Sequence, residues 1–406
     1  MAAPMPPRPQ APGAIPIILN AQLAGLIPRH QVTLVTVAGP DPAEWDALDR
    51  LQATGIDVQA VRRWEPRGFR RWQRRWRWAS AWLRGEYPWR TIWFWEPEVQ
   101  RILDRLLAER SFDQVIVEDS AMGIYRYRTQ TPLVFTEYEV RRPRLIRWQA
   151  GPPSNWLRWA FGEIDWHRWR KYQSWVWHRF DCIQVFTLRD AEAVVTLAPD
   201  LSGRVRVNPF GIDLPATADR EMEQEGHVLF VGNFTHAPNV DAAVWLGREI
   251  MPLLRARCPA IRLTLVGIYP PKSVQALACD DVVVTGPVAE IEPFLERAAV
   301  VLAPLRIGGG MRMKVLHAMA MGKAVVTTPR GAAGLAIDGQ QPPLVIADSA
   351  EEFANATARL MASRETRQSL GRRARAFVAE NFSAQAYARR IEAVCSELRH
   401  VCAQDD

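Results

Sequence analysis

Three glycines stand in a row at Gly308, Gly309 and Gly310, and two cations, Arg312 and Lys314, follow at once. The run IGGGMRMKVLHAMAMG passes from a turn into a helical pattern over Met311–Met321. Glycine lets backbone N–H groups approach a ligand closely. A helix N-terminus adds free donors and partial positive charge. Together these features suit a diphosphate. A Gly-rich turn with solvated basic residues is the other reading of the glycines alone; the cations and the strand–turn–helix context favour phosphate.

Metal and thiol chemistry find less support. The five cysteines are far apart, with no C-x-x-C pair and no His at ligand spacing. They read as thiols in a reducing compartment, not as a disulfide framework or zinc site. Asp280-Asp281 precedes a strand and reads as structural. No cofactor and no essential metal are expected.

These residues need elements to hold them. QVTLVTVA (Gln31–Ala38), FDQVIVEDS (Phe112–Ser120), PLVFTEYE (Pro132–Glu139), FDCIQVFT (Phe180–Thr187) and VRVNPFGID (Val205–Asp213) read as strands. Asp41 or Pro42 can start a helix after the first. The polar stretch Ala216–Gly226 reads as a linker. Beyond it come HVLFVGNF, a helix over 239–257, IRLTLVG, DVVVTGPV, a helix at Glu290–Ala298, VVLAPL and the strand Ala324–Thr328. Helices at 350–363, 364–381 and about 384–401 close the chain. Alternating strands and helices predict parallel sheets. The expected fold class is α/β, with two Rossmann-like doubly wound domains facing a cleft. Their bounds are 1–215 and 226–383, and the helix 384–406 is able to pack back on the first domain. Ligands in such folds sit at the carboxyl ends of the strands.

Four pieces, in order, resemble family 4 (group 1) glycosyltransferases of GT-B type: FVGNFTHAPNVDA (Phe230–Ala242), LTLVG (Leu263–Gly267), Val282–Leu305 and Ile307–Leu335. The similarity spans some 150 residues, and weaker N-terminal matches extend it. The resemblance implies a retaining transfer of a sugar from a nucleotide-sugar to a glycan or lipid-linked acceptor, in polysaccharide or glycoconjugate biosynthesis. It places the sugar diphosphate near the turn Gly232–Thr235, which includes Asn233, and the base near Gly286 and Val288. A ribose-binding glutamate is usual where this chain has His317, and a donor-contacting acid where it has Gly309. A neutral imidazole offers one hydrogen bond but no fixed charge.

The N-terminal matches imply further site residues. Gly13 fits the loop that opens the first domain. Tyr138 stands where a cleft-facing histidine is usual, flanked by Glu137 and Glu139, and Glu118 matches another acidic position. These make Tyr138, Glu137 and Glu118 the catalytic candidates; a solvated strand end is the other reading of the glutamates. The strand expected before the Gly13 loop is missing, with only MAAPM in its place. Either the natural start lies upstream or the sheet lacks its central first strand.

The chain has 406 residues and a net charge of +7, but the charge is uneven. Thirteen arginines fall between residues 62 and 110, and fifteen of the seventeen tryptophans between Trp64 and Trp177. On a helical wheel Trp72, Trp76, Ala79 and Leu83 share a face, with Trp78 and Trp82 beside it and Arg70, Arg74, Arg77 and Arg84 opposite. That pattern suits the interface of an anionic membrane, with segment 64–95 as the docking element. A second such stretch runs over Arg141–Arg179. Packing on the chain's own domain is the alternative. No apolar run spans a bilayer, and the start lacks a secretory stretch. A cytoplasmic protein is expected, peripheral on the inner membrane face. Interleaved basic and aromatic residues also suit single-stranded nucleic acid, but nothing else resembles a nucleic-acid module, so no such partner is expected. The substitutions at Tyr138 and His317 leave open a non-catalytic relative that binds or scaffolds.

Overall fold

The computed structural model describes residues 1–9, 11, 13–63, 69–85, 87–140, 156–215, 222–308, 312–337 and 339–402. They form two units: Met1–Gly211 with Tyr387–Asp406, and Ile212–Ala386.

The first unit is built on seven parallel strands: β1 (Ala2–Ala3), β2 (Thr33–Ala38), β3 (Asp57–Arg62), β4 (Val115–Glu118), β5 (Leu133–Glu137), β6 (Cys182–Val185) and β7 (Val205–Val207). Their order is β3-β2-β1-β4-β5-β6-β7. The middle strands are apolar on successive residues because both faces are covered. One face packs Leu19, Leu23 and Leu48 against Leu34 and Ala38. Another cluster joins Val99, Leu103 and Trp177 to Val117, Phe135 and Ile183. The helix Ala384–Cys402 puts Tyr387, Ile391 and Val394 against Leu26, Ile116 and Val134.

The expectation of a sheet without its first central strand is corrected. Ala2 and Ala3 form that strand between β2 and β4, with Ala2 opposite both Val35 and Val117. The Met1 amine donates to the Thr33 carbonyl at 2.8 Å, and the Val35 amide donates to the Met1 carbonyl at 2.9 Å. Two alanines suffice because a ladder satisfies backbone groups, not side chains. The chain also has a strand the pattern hid: β3 is an edge strand of mostly half-buried residues, DVQAVR.

The second unit has six parallel strands: β8 (His227–Val231), β9 (Arg262–Val266), β10 (Val282–Gly286), β11 (Val300–Ala303), β12 (Ala324–Thr327) and β13 (Val345–Ile346). The order is β10-β9-β8-β11-β12-β13. Phe230, Leu263, Leu265, Leu302 and Val326 form its core with Trp245, Leu246 and Phe353. The helix expected over 239–257 is three pieces, Ala237–Trp245, a π-turn Leu246–Ile250 and Met251–Arg257. Most of the expected linker, 216–221, lies outside the described residues. Its end is anchored: Glu223 takes the buried Arg367 guanidinium at 2.6 Å. The strand order reverses between β8 and β11, so their carboxyl ends frame the crevice where ligands bind in such sheets. Cys182, Cys258, Cys279 and Cys395 are free.

Candidate functional site

At that switch point the second unit gathers the residues read as phosphate-binding. Gly232 follows β8 and donates its amide to the Val266 carbonyl at 2.9 Å. The Asn233 side chain closes an Asx-type turn, its Oδ1 accepting from the Thr235 amide at 3.0 Å and hydroxyl at 2.7 Å. The Asn233 carbonyl accepts from Asn239 Nδ2 at 2.6 Å. Asn239 Oδ1 in turn accepts from the Lys314 ammonium, which lies 4.8 Å above the Phe230 ring. The turn after β8 is thereby tied to the helix Met313–Ala320 after β11.

Gly308 sits where the two turns meet. Its φ is +103°, and a Cβ there would stand 3.2 Å from the Pro238 ring and 3.3 Å from the Arg312 guanidinium. Gly309, Gly310 and Met311 lie outside the described residues. A second glycine is demanded on the other side: a Cβ on Gly267 would stand 1.7 Å from the Gly232 carbonyl oxygen. Burial pushes the Lys314 ammonium down to about 7, helped by the Arg312 charge. A cation so destabilised by desolvation gains most from an arriving anion.

The nucleotide-side candidates also lie together. Gly286 ends β10 at φ +71°, with open space about its α-carbon. Its carbonyl accepts from the Gly267 amide at 3.3 Å. The half-buried Val288 follows, and the next helix, Glu292–Arg297, begins with Glu292. Glu292 Oε1 stands 3.4 Å from His317 Nε2. Burial lowers the His317 pKa and Glu292 opposes it, which leaves the imidazole neutral at pH 7. Motif reading missed Asn239 and Glu292. Asn239 lies inside the quoted FVGNFTHAPN and Glu292 inside AEIEPF, but nothing in their spacing tells that they face Lys314 and His317.

In the first unit Glu118, Glu137 and Tyr138 are adjacent, and both glutamates are buried (0% and 3% exposed), not solvated strand ends. Glu137 is held on every side. Its Oε2 accepts from Ser120 Oγ at 2.7 Å, Gln173 Nε2 at 2.7 Å and Trp177 Nε1 at 3.0 Å; Oε1 accepts from the Glu139 amide at 3.3 Å. Burial, then the Asp119 charge, raises its pKa to about 7. Burial likewise raises Glu118 to about 8, and neither of its carboxyl oxygens has a hydrogen-bond partner among the described residues. The Tyr138 phenol is pushed well above its ordinary value by burial and by Glu118, and its ring packs edge-on against Phe186 at 5.0 Å. Asp119, beside them, holds a strained φ of +70°. Gly13 is the exposed residue capping the helix Ala14–Leu26.

The Trp/Arg helix is Phe69–Leu83. Its aromatic face divides. Trp78 packs on Trp89 and Trp93, with ring centroids 6.2 and 5.0 Å away. Trp82 stacks on Phe161 at 4.5 Å, donates to Asp165 at 2.8 Å and lies under the Arg168 guanidinium at 4.2 Å. Trp72, Trp76 and Leu83 stay exposed, at 57%, 55% and 69%. The side chains of Arg70, Arg74 and Arg77, the segment 64–68 and residues 141–155 lie outside the described residues. Among the described residues no helix is long and apolar enough to cross a membrane, and no three His, Cys, Asp or Glu side chains cluster as metal ligands. Asp281 is tied to Arg255 at 2.6 Å, which holds its carboxyl down to about 2.

Comparison with known proteins follows the same division. No curated protein matches the sequence. Among solved structures, Anabaena HepE, in complex with UDP and glucose, superposes with a TM-score of 0.62 at 14% identity, over 97% of this chain and 98% of its own. Sucrose-phosphate synthase from Thermosynechococcus elongatus gives 0.63 at 16% identity, over 96% and 94%. A glycosyltransferase from Rickettsia africae gives 0.59 at 12% identity, over 93% and 92%. The fold is therefore the two-domain GT-B arrangement of Rossmann-like sheets, and residues 225–363, which contain the whole site of the second unit, match the family described as glycosyl transferases group 1.

Proposed function

We propose that the chain is a retaining glycosyltransferase of family 4. It takes a hexose from a nucleotide-sugar and passes it to a glycan or lipid-linked acceptor recognised by the first unit. The observation that carries this reading is the convergence of the Asn233 turn, Asn239, Lys314, Arg312 and Gly308 at one sheet switch point. HepE is described with UDP-glucose bound, which supports a uridine nucleotide as the first donor to try. The diphosphate sits over the N-terminus of Met313–Ala320, with Arg312 and Lys314 neutralising the charge that grows as it leaves. His317 and Glu292 take hydroxyls on the nucleoside side.

The bond from the anomeric carbon to the diphosphate oxygen breaks, and the acceptor oxygen bonds to that carbon. The departing phosphate oxygen takes the acceptor proton. This route needs no strong base from the protein, in keeping with the buried Glu118, Glu137 and Tyr138. In this reading the protein works on the cytoplasmic face of a bacterial inner membrane, in polysaccharide or glycoconjugate synthesis. The exposed Trp72 and Trp76 enter the anionic interface beside the arginine-rich flank. No metal or cofactor is required.

Calorimetric titration of UDP into the full chain, followed by a donor screen for released nucleoside diphosphate, tests the proposal. Saturable UDP binding and donor turnover are expected. A chain that binds no nucleoside diphosphate is not a transferase of this kind. Binding without turnover favours the second reading, a non-catalytic relative, for which His317 and the closed-in Glu137 speak.

A further inference from the structure

The first unit contains an open cavity of 1220 Å³ that the donor site does not use. Its walls come from the end of β3 at Ala60–Arg62, the helices Phe69–Leu83 and Pro97–Glu109, and the segment 124–128. The volume lies above the roughly 300–1,000 Å³ of ordinary small-molecule sites. Among the described residues five arginines and three carboxylates line it, and the carboxylates are already engaged or enclosed. Glu98 pairs with Arg101 at 2.6 Å, Asp104 accepts from Gln100 at 3.0 Å, and Glu96 is 6% exposed. The described lining carries a net positive charge.

Arg126 and Arg128 are exposed and carry no ion pair among the described residues. The Arg126 backbone is fixed. Gln100 Nε2 donates to the Arg126 carbonyl and Gln100 Oε1 accepts its amide, both at 2.9 Å. Between them Tyr127 is buried and donates its hydroxyl to the Met122 carbonyl at 3.0 Å. Arg126 and Arg128 both line the cavity, one on each side of the buried Tyr127, and guanidinium forks are suited to recognise phosphate bidentately. Trp78, Tyr87 and Trp95 line the same space. Aromatic faces carry negative potential, which complements the C–H-rich face of a sugar ring.

We propose that this cavity binds a phosphate-bearing saccharide, with Arg126 and Arg128 on the phosphate and the three rings on the sugar. That this saccharide is the acceptor rests on the transferase reading; that the cavity binds it does not. A soluble sugar phosphate and the head of a lipid-linked one share this chemistry.

The test is a titration of the full-length protein, holding excess UDP, with maltose 1-phosphate, maltose and inorganic phosphate, followed by tryptophan fluorescence. Saturable quenching by maltose 1-phosphate is expected, at least tenfold tighter than by either half alone. The double variant Arg126→Ser/Arg128→Ser is expected to weaken it at least tenfold with an unchanged Tm. The charge-matched Arg359→Ser, exposed on the second unit, is expected to have no effect. Absence of saturable binding, or equal loss in Arg359→Ser, overturns the proposal. UDP binding measured separately keeps the two readings apart: UDP without maltose 1-phosphate sinks the cavity alone, and the reverse sinks the transferase alone. Vesicles carrying a polyprenyl-phosphate-linked sugar that displace maltose 1-phosphate assign the site to a lipid-linked source; vesicles that do not displace it assign it to a soluble one.

Discussion

Lys314 is the residue on which most of the donor site turns. Its ammonium bonds Asn239 and is held down to about 7 by burial. Replacing it with Met is expected to weaken UDP binding roughly tenfold to a hundredfold, the range of a lost charge-assisted bond. Above pH 7 the Lys314 amine of the free site is largely neutral, and an arriving phosphate raises the lysine pKa again. Binding then takes up a proton, so affinity falls as pH rises from 7. Calorimetry in two buffers of different ionisation enthalpy measures that uptake, which the Lys314→Met variant should lack. Glu137 gives its signal in stability instead of binding. Its carboxyl is raised from the ordinary 4.5 to about 7. Between those values the unfolded chain loses the proton and the native protein keeps it, so Glu137 subtracts stability as pH rises through that window. Glu137→Gln, which keeps an acceptor for Gln173 and Trp177, is expected to flatten that slope in denaturant titrations from about pH 5 to 7. An unchanged slope would mean that the carboxyl is already ionised at pH 5.

At the scale of elements, two turns and one helix make separate demands. The turns after β8 and β9 touch through Gly232 and Gly267, and no side chain fits at Gly267. Gly267→Ala is expected to displace the Gly232–Thr235 turn and abolish UDP binding, while the first unit keeps its own unfolding transition. The helix Phe69–Leu83 has two halves with different duties. Trp82 is locked by Asp165, Phe161 and Arg168. Trp82→Ala is expected to lower the stability of the first unit by roughly 3 kcal/mol, as for a truncated packed aromatic. Trp72→Ser/Trp76→Ser removes exposed rings and is expected to leave Tm unchanged but to reduce sedimentation with anionic vesicles. Equal vesicle binding by that variant would return these tryptophans to an ordinary surface role.

At the scale of the molecule, the charge of +7 and its concentration in residues 62–110 predict vesicle binding that falls steeply with salt, because exposed charges are screened beyond about 10 Å at 0.1 M. Flotation from 50 to 300 mM salt measures it; a flat response would leave the aromatic residues as the whole of any membrane affinity. Much of this fold was legible along the chain, since β2, β4, β5, β6 and β8–β12 are apolar runs between turns and parallel sheets bury both faces. β3 escaped because an edge strand keeps polar residues such as Gln59. β1 escaped because two alanines carry no pattern and act only through ladder hydrogen bonds. The sequence by itself determined most of the central strands and the helices between them, the glycine turn with its two cations, and the concentration of tryptophan and arginine, since these follow from residue types and local spacing. Only the tertiary structure decided that Asn239 holds Lys314, that Glu292 stands beside His317, that Glu118 and Glu137 are buried, and that Trp82 packs inward while Trp72 faces out. Each of those depends on elements distant in sequence and on the desolvation their packing imposes, which no local spacing records.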